Sequence, residues 1–295
     1  MSENLIPRVI IPDLITKKQQ NEKIVALTAY DYPTAKIVDQ AGVDIILVGD
    51  SLGMVVLGHK DTIPVTMSDM IHHTKAVTRG VKSALVVGDM PYMSFQVSQQ
   101  EAVKNAFRFI KEAGARAVKI EGASPYRLEV IQALKEAEIP VMGHVGLTPQ
   151  SINQIGSFKV RGKNKEEAQK IIEEAIKLEQ TGVFAVILEC IPLELAEVIT
   201  HKLKIPTIGI GAGPFCDGQI LVFHDLLGYS NGYLPKYVKK YVDVNKILID
   251  GIGQYVKDVK SHQFPLDKHS YHSKEIERIF NSKKQKKKKE NNNLK

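Results

Sequence analysis

Eight short runs of apolar, largely β-branched residues recur along this chain, at 24–27, 45–48, 84–87, 117–120, 139–142, 185–188, 205–208 and 220–223. They are near-continuous rather than alternating, the pattern of parallel strands covered on both faces. Stretches of helical period lie between most of them. Residues 98–113, SQQEAVKNAFRFIKEA, open on Ser98 with Glu101 three positions later, a capping box. Ala102, Ala106, Phe109 and Ile110 make one apolar stripe there, and Gly114 closes the helix. Residues 164–181 repeat the logic with Asn164, Glu167 and Gly182, and 66–79, 124–137 and 192–203 also read as helices.

Eight strands alternating with helices over about 225 residues predict an α/β chain folded as a (β/α)8 TIM barrel. The rival, a doubly wound open sheet, wants a glycine-rich fingerprint after its first strand. Here that strand runs into TAYDYP. GIGAG at 209–213 is either a phosphate-binding turn or only a tight backbone turn. Residues 1–23 read as an N-terminal arm or capping helix, 24–265 as the catalytic barrel and 266–295 as a C-terminal extension, disordered at least from 281. Residues 243–262 form a last helix with Val244, Ile247, Leu248, Ile252, Tyr255, Val256 and Val259 on one stripe.

The distribution of charge weighs against one class of function. Residues 281–295, NSKKQKKKKENNNLK, hold seven Lys and one Glu, so six of the seven net positive charges sit there and the globular part is nearly neutral. No aromatic residue interleaves these lysines for stacking on bases. The tail therefore reads as a solvated extension rather than a nucleic-acid tether. No run approaches the roughly 20 apolar residues of a membrane span, and the N-terminus lacks signal-peptide character. The two cysteines, Cys190 and Cys216, make neither a disulfide framework nor a zinc site. The expected location is the cytoplasm.

Barrel enzymes carry their chemistry at the C-terminal ends of the strands. The runs are followed in turn by Asp31, Asp50-Ser51, Asp89, Glu121 (with Lys119 two residues earlier), His144, Glu189, Gly209–Gly213 and His224-Asp225. Any one acid in such a place is more often a helix cap or turn former; convergence is what counts. Asp50, Asp89 and Glu121 come from successive strands and would face one mouth, where three carboxylates repel. A divalent cation removes the conflict, and oxygen ligands without cysteine point first to Mg²⁺. Lys119 shares the face of Glu121; it either neutralises the acids or holds a substrate oxygen. His144 is either a satisfied core histidine or a substrate contact. Glu189, across the barrel, is placed as a general base rather than a ligand.

Longer blocks carry a family resemblance. TAYDYPTAKIVDQAGVDIILVGDSLGMVVLGHKDTIPVT, VGDMPYMSF, AVKIEG, VMGHVGLTPQS, LECIPLELA, IGIGAGPFCDGQILVFHDLLG and PKYVKKY, spread over about residues 5–265, resemble the ketopantoate hydroxymethyltransferase family. The resemblance implies a Mg²⁺-dependent barrel enzyme of pantothenate biosynthesis. Its members transfer a hydroxymethyl group from 5,10-methylenetetrahydrofolate to 3-methyl-2-oxobutanoate, giving 2-dehydropantoate and tetrahydrofolate. By motif, Asp50 and Asp89 match the metal-binding aspartates and Glu121 the third acid of that site, acting through a water. Ser51, Asp89 and Lys119 match contacts to the keto acid, Glu189 the proton acceptor, and His144 a pocket residue. The family also implies a homodecamer.

Two departures stand out. The family often has Gly-Gly in the loop after the fifth strand, where this chain has Gly156-Ser157, which leaves that loop's conformation open. The Lys-rich segment past about residue 272 matches no family motif. The nearest enzymatic rival is a Mg²⁺-dependent lyase or mutase of the phosphoenolpyruvate mutase and isocitrate lyase type. It needs a reactive cysteine in a lid, and no cysteine precedes Cys190. The rival outside enzymology is an RNA-binding or assembly protein that uses the basic tail.

Overall fold

The structure, a computed structural model, describes residues 8–229 and 234–281. The Lys-rich run at 282–295, expected to be disordered, lies outside the described residues. Two compact units are present, divided between Val242 and Asp243.

In the first unit, eight parallel strands close into a barrel in sequence order. They are β1 (Ile24–Thr28), β2 (Ile45–Val48), β3 (Leu85–Asp89), β4 (Ala117–Lys119), β5 (Val141–Gly146), β6 (Ala185–Glu189), β7 (Thr207–Ile210) and β8 (Gly218–Leu221). The helices are α1 (Ile11–Gln19), α2 (Tyr32–Gln40), α3 (Leu52–Val55), α4 (Met67–Gly80), α5 (Gln99–Phe107), α6 (Pro125–Glu136), α7 (Ile152–Ile155), α8 (Lys165–Thr181), α9 (Leu193–Lys202) and α10 (Phe223–Leu226). The second unit holds α11 (Val244–Lys260), capped by Asp243, which accepts from the backbone N–H of Lys246. None of the residues of α11 is buried.

Four elements differ by a few residues from the expectation, for physical reasons. β5 and β7 begin at Val141 and Thr207, just past Pro140 and Pro206, which have no N–H to give to a ladder. The carbonyls of both prolines still accept, from Val118 and Val186. β8 lies two residues earlier than the apolar run, because it pairs through Gly218 and Gln219 with both neighbours. The helix expected over 98–113 ends at Phe107 and continues as a π-turn through Arg108–Glu112. That wider turn lays the Phe109 ring against β3, where a Cβ on Gly88 would fall 2.3 Å from it.

Inside the barrel, the apolar layers follow the two-residue pleat. Ile24 and Ala26, Ile45 and Leu47, Leu85 and Val87, Ala185 and Ile187, and Ile208 and Ile210 share one cluster with Leu14 of α1. Leu14 is fully buried. Lys17 reaches Asp44 at 3.1 Å and Lys18 reaches Asp217 at 2.6 Å, both acids standing just before strands. α1 therefore closes the N-terminal end of the barrel. A second cluster fills the layer between strands and helices.

Candidate active site

The pleat that buries the apolar layers also delivers the polar ones. Continuing the inward register by two residues gives Asp89 after Val87, Lys119 after Ala117, His144 after Met142 and Glu189 after Ile187. These four form the next layer toward the C-terminal mouth. Asp50 does not follow this parity; Gly49 does. A Cβ on Gly49 would meet Ser51 Oγ at 2.9 Å and approach Asp89 Oδ2 at 3.8 Å, so the glycine leaves the space that Asp50 and Ser51 turn around.

Asp50, Asp89, Lys119, Glu121 and His144 are each at most 4% exposed. Lys119 Nζ donates to Asp89 Oδ1 at 2.9 Å and Oδ2 at 3.0 Å, and to Glu121 Oε1 at 3.2 Å. The Asp50 N–H donates to Asp89 Oδ2 at 3.1 Å. Glu121 Oε2 accepts from the Gln150 N–H at 3.0 Å, and Asp50 Oδ2 from Gln150 Nε2 at 2.9 Å. His144 stands between two acids, with Nδ1 3.5 Å from Glu121 and Nε2 3.3 Å from Glu189.

The electrostatics follow from burial and spacing. Burial, then the charges of Asp89 and Glu121, push the Asp50 carboxyl well above its usual range. Burial works the same way on Glu121, but Lys119 and His144 overcome it and hold that carboxyl at about 2. Burial disfavours the charged His144 ring, yet its contacts with Glu121 and Glu189 raise it to about 9. Around Lys119 the nearby acids outweigh burial and keep the ammonium charged.

The other strand-end residues divide. Asp31 accepts the Thr34 N–H at 2.8 Å and is the N-cap of α2. Ser51 precedes α3 without capping it; its hydroxyl lies 2.8 Å from the Tyr30 hydroxyl. His224 stacks on Tyr229, rings 5.2 Å apart. Burial pushes the Cys190 thiol up to about 12 and that of Cys216 to about 11, so neither is poised as a nucleophile. Gly156 takes φ 73° at the end of α7, so the left-handed position in that loop is filled by glycine and Ser157 is not asked to adopt it.

Sequence reasoning passed over two residues. Tyr30, 2% exposed, supports Ser51, and Gln150, 3% exposed, ties Asp50 to Glu121. Gln150 sits in a 3₁₀ turn, where no apolar period marks a buried position, and Tyr30 lies two residues past the end of β1.

Among the described residues no three His, Cys, Asp or Glu side chains converge as a cage around a metal. Lys119 stands among the acids, and protein donors engage both oxygens of Glu121 and both of Asp89. The arrangement instead offers Asp50 and Asp89 side by side, with Glu121 behind the lysine.

Charge buried at this density earns no stability for a core; at the mouth of a closed parallel barrel it marks an enzyme. Comparison with known proteins narrows the class. The family model for ketopantoate hydroxymethyltransferase matches residues 8–267. The 3-methyl-2-oxobutanoate hydroxymethyltransferase of Thermoanaerobacter sp. (strain X514) is 58% identical over 254 residues, 86% of this chain and 92% of that one. That of Syntrophomonas wolfei subsp. wolfei is 51% identical over 275 residues, 92% and 99% of the two. The chain belongs to the ketopantoate hydroxymethyltransferase family and is a transferase.

Two solved structures share the fold. A phosphonopyruvate hydrolase in complex with oxalate and Mg²⁺ has a TM-score of 0.57 at 13% identity, covering 94% of this chain and 96% of that one. A 2,3-dimethylmalate lyase of the PEP mutase/isocitrate lyase superfamily has 0.57 at 15%, covering 88% and 91%. Identities this low speak for the barrel and not for the reaction. No helix among the described residues is long and apolar enough to cross a membrane.

Proposed function

We propose that the chain transfers a hydroxymethyl group from 5,10-methylenetetrahydrofolate to 3-methyl-2-oxobutanoate, forming 2-dehydropantoate and tetrahydrofolate on the route to pantothenate. The observation that carries the reading is the His144 bridge: one ring spans Glu121 at 3.5 Å and Glu189 at 3.3 Å. Glu189 thereby faces the same space as the Asp50–Asp89–Lys119 group.

The donor set fits a hard divalent cation. Its candidate ligands are all oxygens, Asp50 and Asp89 are buried together, and no group among the described residues donates to Asp50 Oδ1. Asp50 and Asp89 would hold Mg²⁺, with Glu121 reaching it through a water, and the ion when bound would polarise the keto group of the 2-oxo acid. Lys119 and Ser51 bind the acid's oxygens, the ammonium giving charge and the hydroxyl a hydrogen bond. Glu189 removes the C3 proton. C3 then bonds to the methylene carbon of the folate, the two carbon–nitrogen bonds that hold that carbon to the carrier break in turn, water supplies the new hydroxyl, the protons lost from C3 and from water end on the two nitrogens, and tetrahydrofolate leaves. The charged His144 ring orients Glu189 toward the proton it takes. Assembly into a homo-oligomer belongs to the same reading, and the mass in solution tests it.

The experiment is proton exchange at C3 in deuterated solvent, which needs no folate. The wild type with Mg²⁺ exchanges; Glu189→Gln binds keto acid but does not. Normal exchange in Glu189→Gln removes Glu189 from the role, and absence of 2-dehydropantoate when the wild type has metal, keto acid and folate overturns the reaction.

A further inference from the structure

Gln150 lies in the short 3₁₀ turn Pro149–Ser151 after β5. Its backbone N–H holds Glu121, and its side-chain nitrogen donates both to Asp50 Oδ2 and to the Met90 carbonyl, each at 2.9 Å. Met90 directly follows Asp89. A single residue therefore touches the ends of β2, β3 and β4, where the three acids stand. Two acceptors on one side decide which end of the amide is nitrogen. The opposite end, Oε1, is buried and receives no hydrogen from the protein. A buried acceptor left without a donor is costly, so it is usually kept for one that arrives with a ligand.

A structural strut explains the two donated hydrogen bonds but not the carbonyl oxygen. Leucine fills the same volume without that orphan, and glutamate would set an acceptor against Asp50 and Met90. Only an amide gives Asp50 a donor and keeps an acceptor free beside it.

We propose that Gln150 is a positioning residue for the cation. Its nitrogen fixes the Asp50 carboxylate by Oδ2 so that Oδ1 is left for the ion, and its Oε1 accepts a hydrogen from water in the ion's shell. The inference rests on the cation reading above. Residues one step out from the ligands commonly carry 10- to 100-fold in metal affinity.

The test is titration of the purified full-length protein with Mn²⁺ alone, free ion being followed by its paramagnetic resonance signal. Gln150→Leu keeps the backbone bond to Glu121 and is expected to bind Mn²⁺ about 10- to 100-fold more weakly than the wild type. A strut would instead lower the unfolding midpoint and leave the affinity of the folded protein unchanged. Gln150→Asn, whose amide is one methylene short of Asp50, provides the same measurement where the leucine variant does not fold. Affinity within twofold of the wild type in a folded variant overturns the role of Gln150. A wild type that takes up no Mn²⁺ overturns the cation reading itself, and this inference with it.

Discussion

Asp89 and Lys119 are register partners on adjacent strands, and their charges meet at 2.9 Å where each side chain is at most 5% exposed. The strand pairing itself brings the ion pair together, with no loop to adjust it. Removing one partner strands the other in a medium that cannot solvate it. Lys119→Met should therefore lower stability by about 3–5 kcal/mol, since Asp89 and Glu121 both lose their cation. Chemical denaturation of cation-free protein measures this, and a loss under about 1 kcal/mol would mean that the acids had simply taken up protons.

Tyr30 supports Ser51 from below. Tyr30→Phe removes the hydroxyl 2.8 Å from Ser51 Oγ and leaves the ring in place. Keto-acid affinity should fall several-fold, in line with about 1 kcal/mol for one neutral hydrogen bond, while kcat changes less. Steady-state kinetics separates the two. An unchanged KM means that Ser51 does not need Tyr30 to face the substrate.

His144 should stay protonated through neutral pH in the cation-free protein. Its folded value is raised to about 9, so its stabilising charge is fully present below about 6.5 and is lost as the pH climbs through about 9. Imidazole resonances followed from pH 6 to 10 read the ring directly. Titration below 7 would show that Glu121 and Glu189 do not hold the proton there.

Cation binding should appear in stability as well as in turnover. Protein stripped with EDTA should gain about 2.7 kcal/mol at a Mg²⁺ concentration 100 times the dissociation constant, by mass action alone. An Asp50→Asn, Asp89→Asn double variant should gain nothing. Equal shifts in both proteins would place the ion elsewhere.

Much of this molecule was legible because two periodicities run through it. Runs such as 45–48 and 185–188 became strands at those positions, and their inward parity carried on to Asp89, Lys119, His144 and Glu189. Where parity fails, the apolar period alone does not place a residue. Asp50 enters through a turn around Gly49, and Gln150 through a 3₁₀ turn, positions set by backbone geometry and not by hydrophobic period. Asp31 looked like the other strand-end acids and is a helix cap; chain position alone does not separate a ligand from a cap. The starts of β5 and β7 moved because proline lacks one donor, a local fact that outweighs the apolar run around it.

The helix that shuts the N-terminal end of the barrel has a consequence for traffic. With the interior packed by its apolar layers and Leu14 of α1 seated against them, no passage leads through the barrel to its N-terminal end. Molecules come and go by one door. If the keto acid binds against Lys119 as proposed, it would enter before the carrier, and its product would depart after the spent carrier. That queue is visible as the pattern of product inhibition.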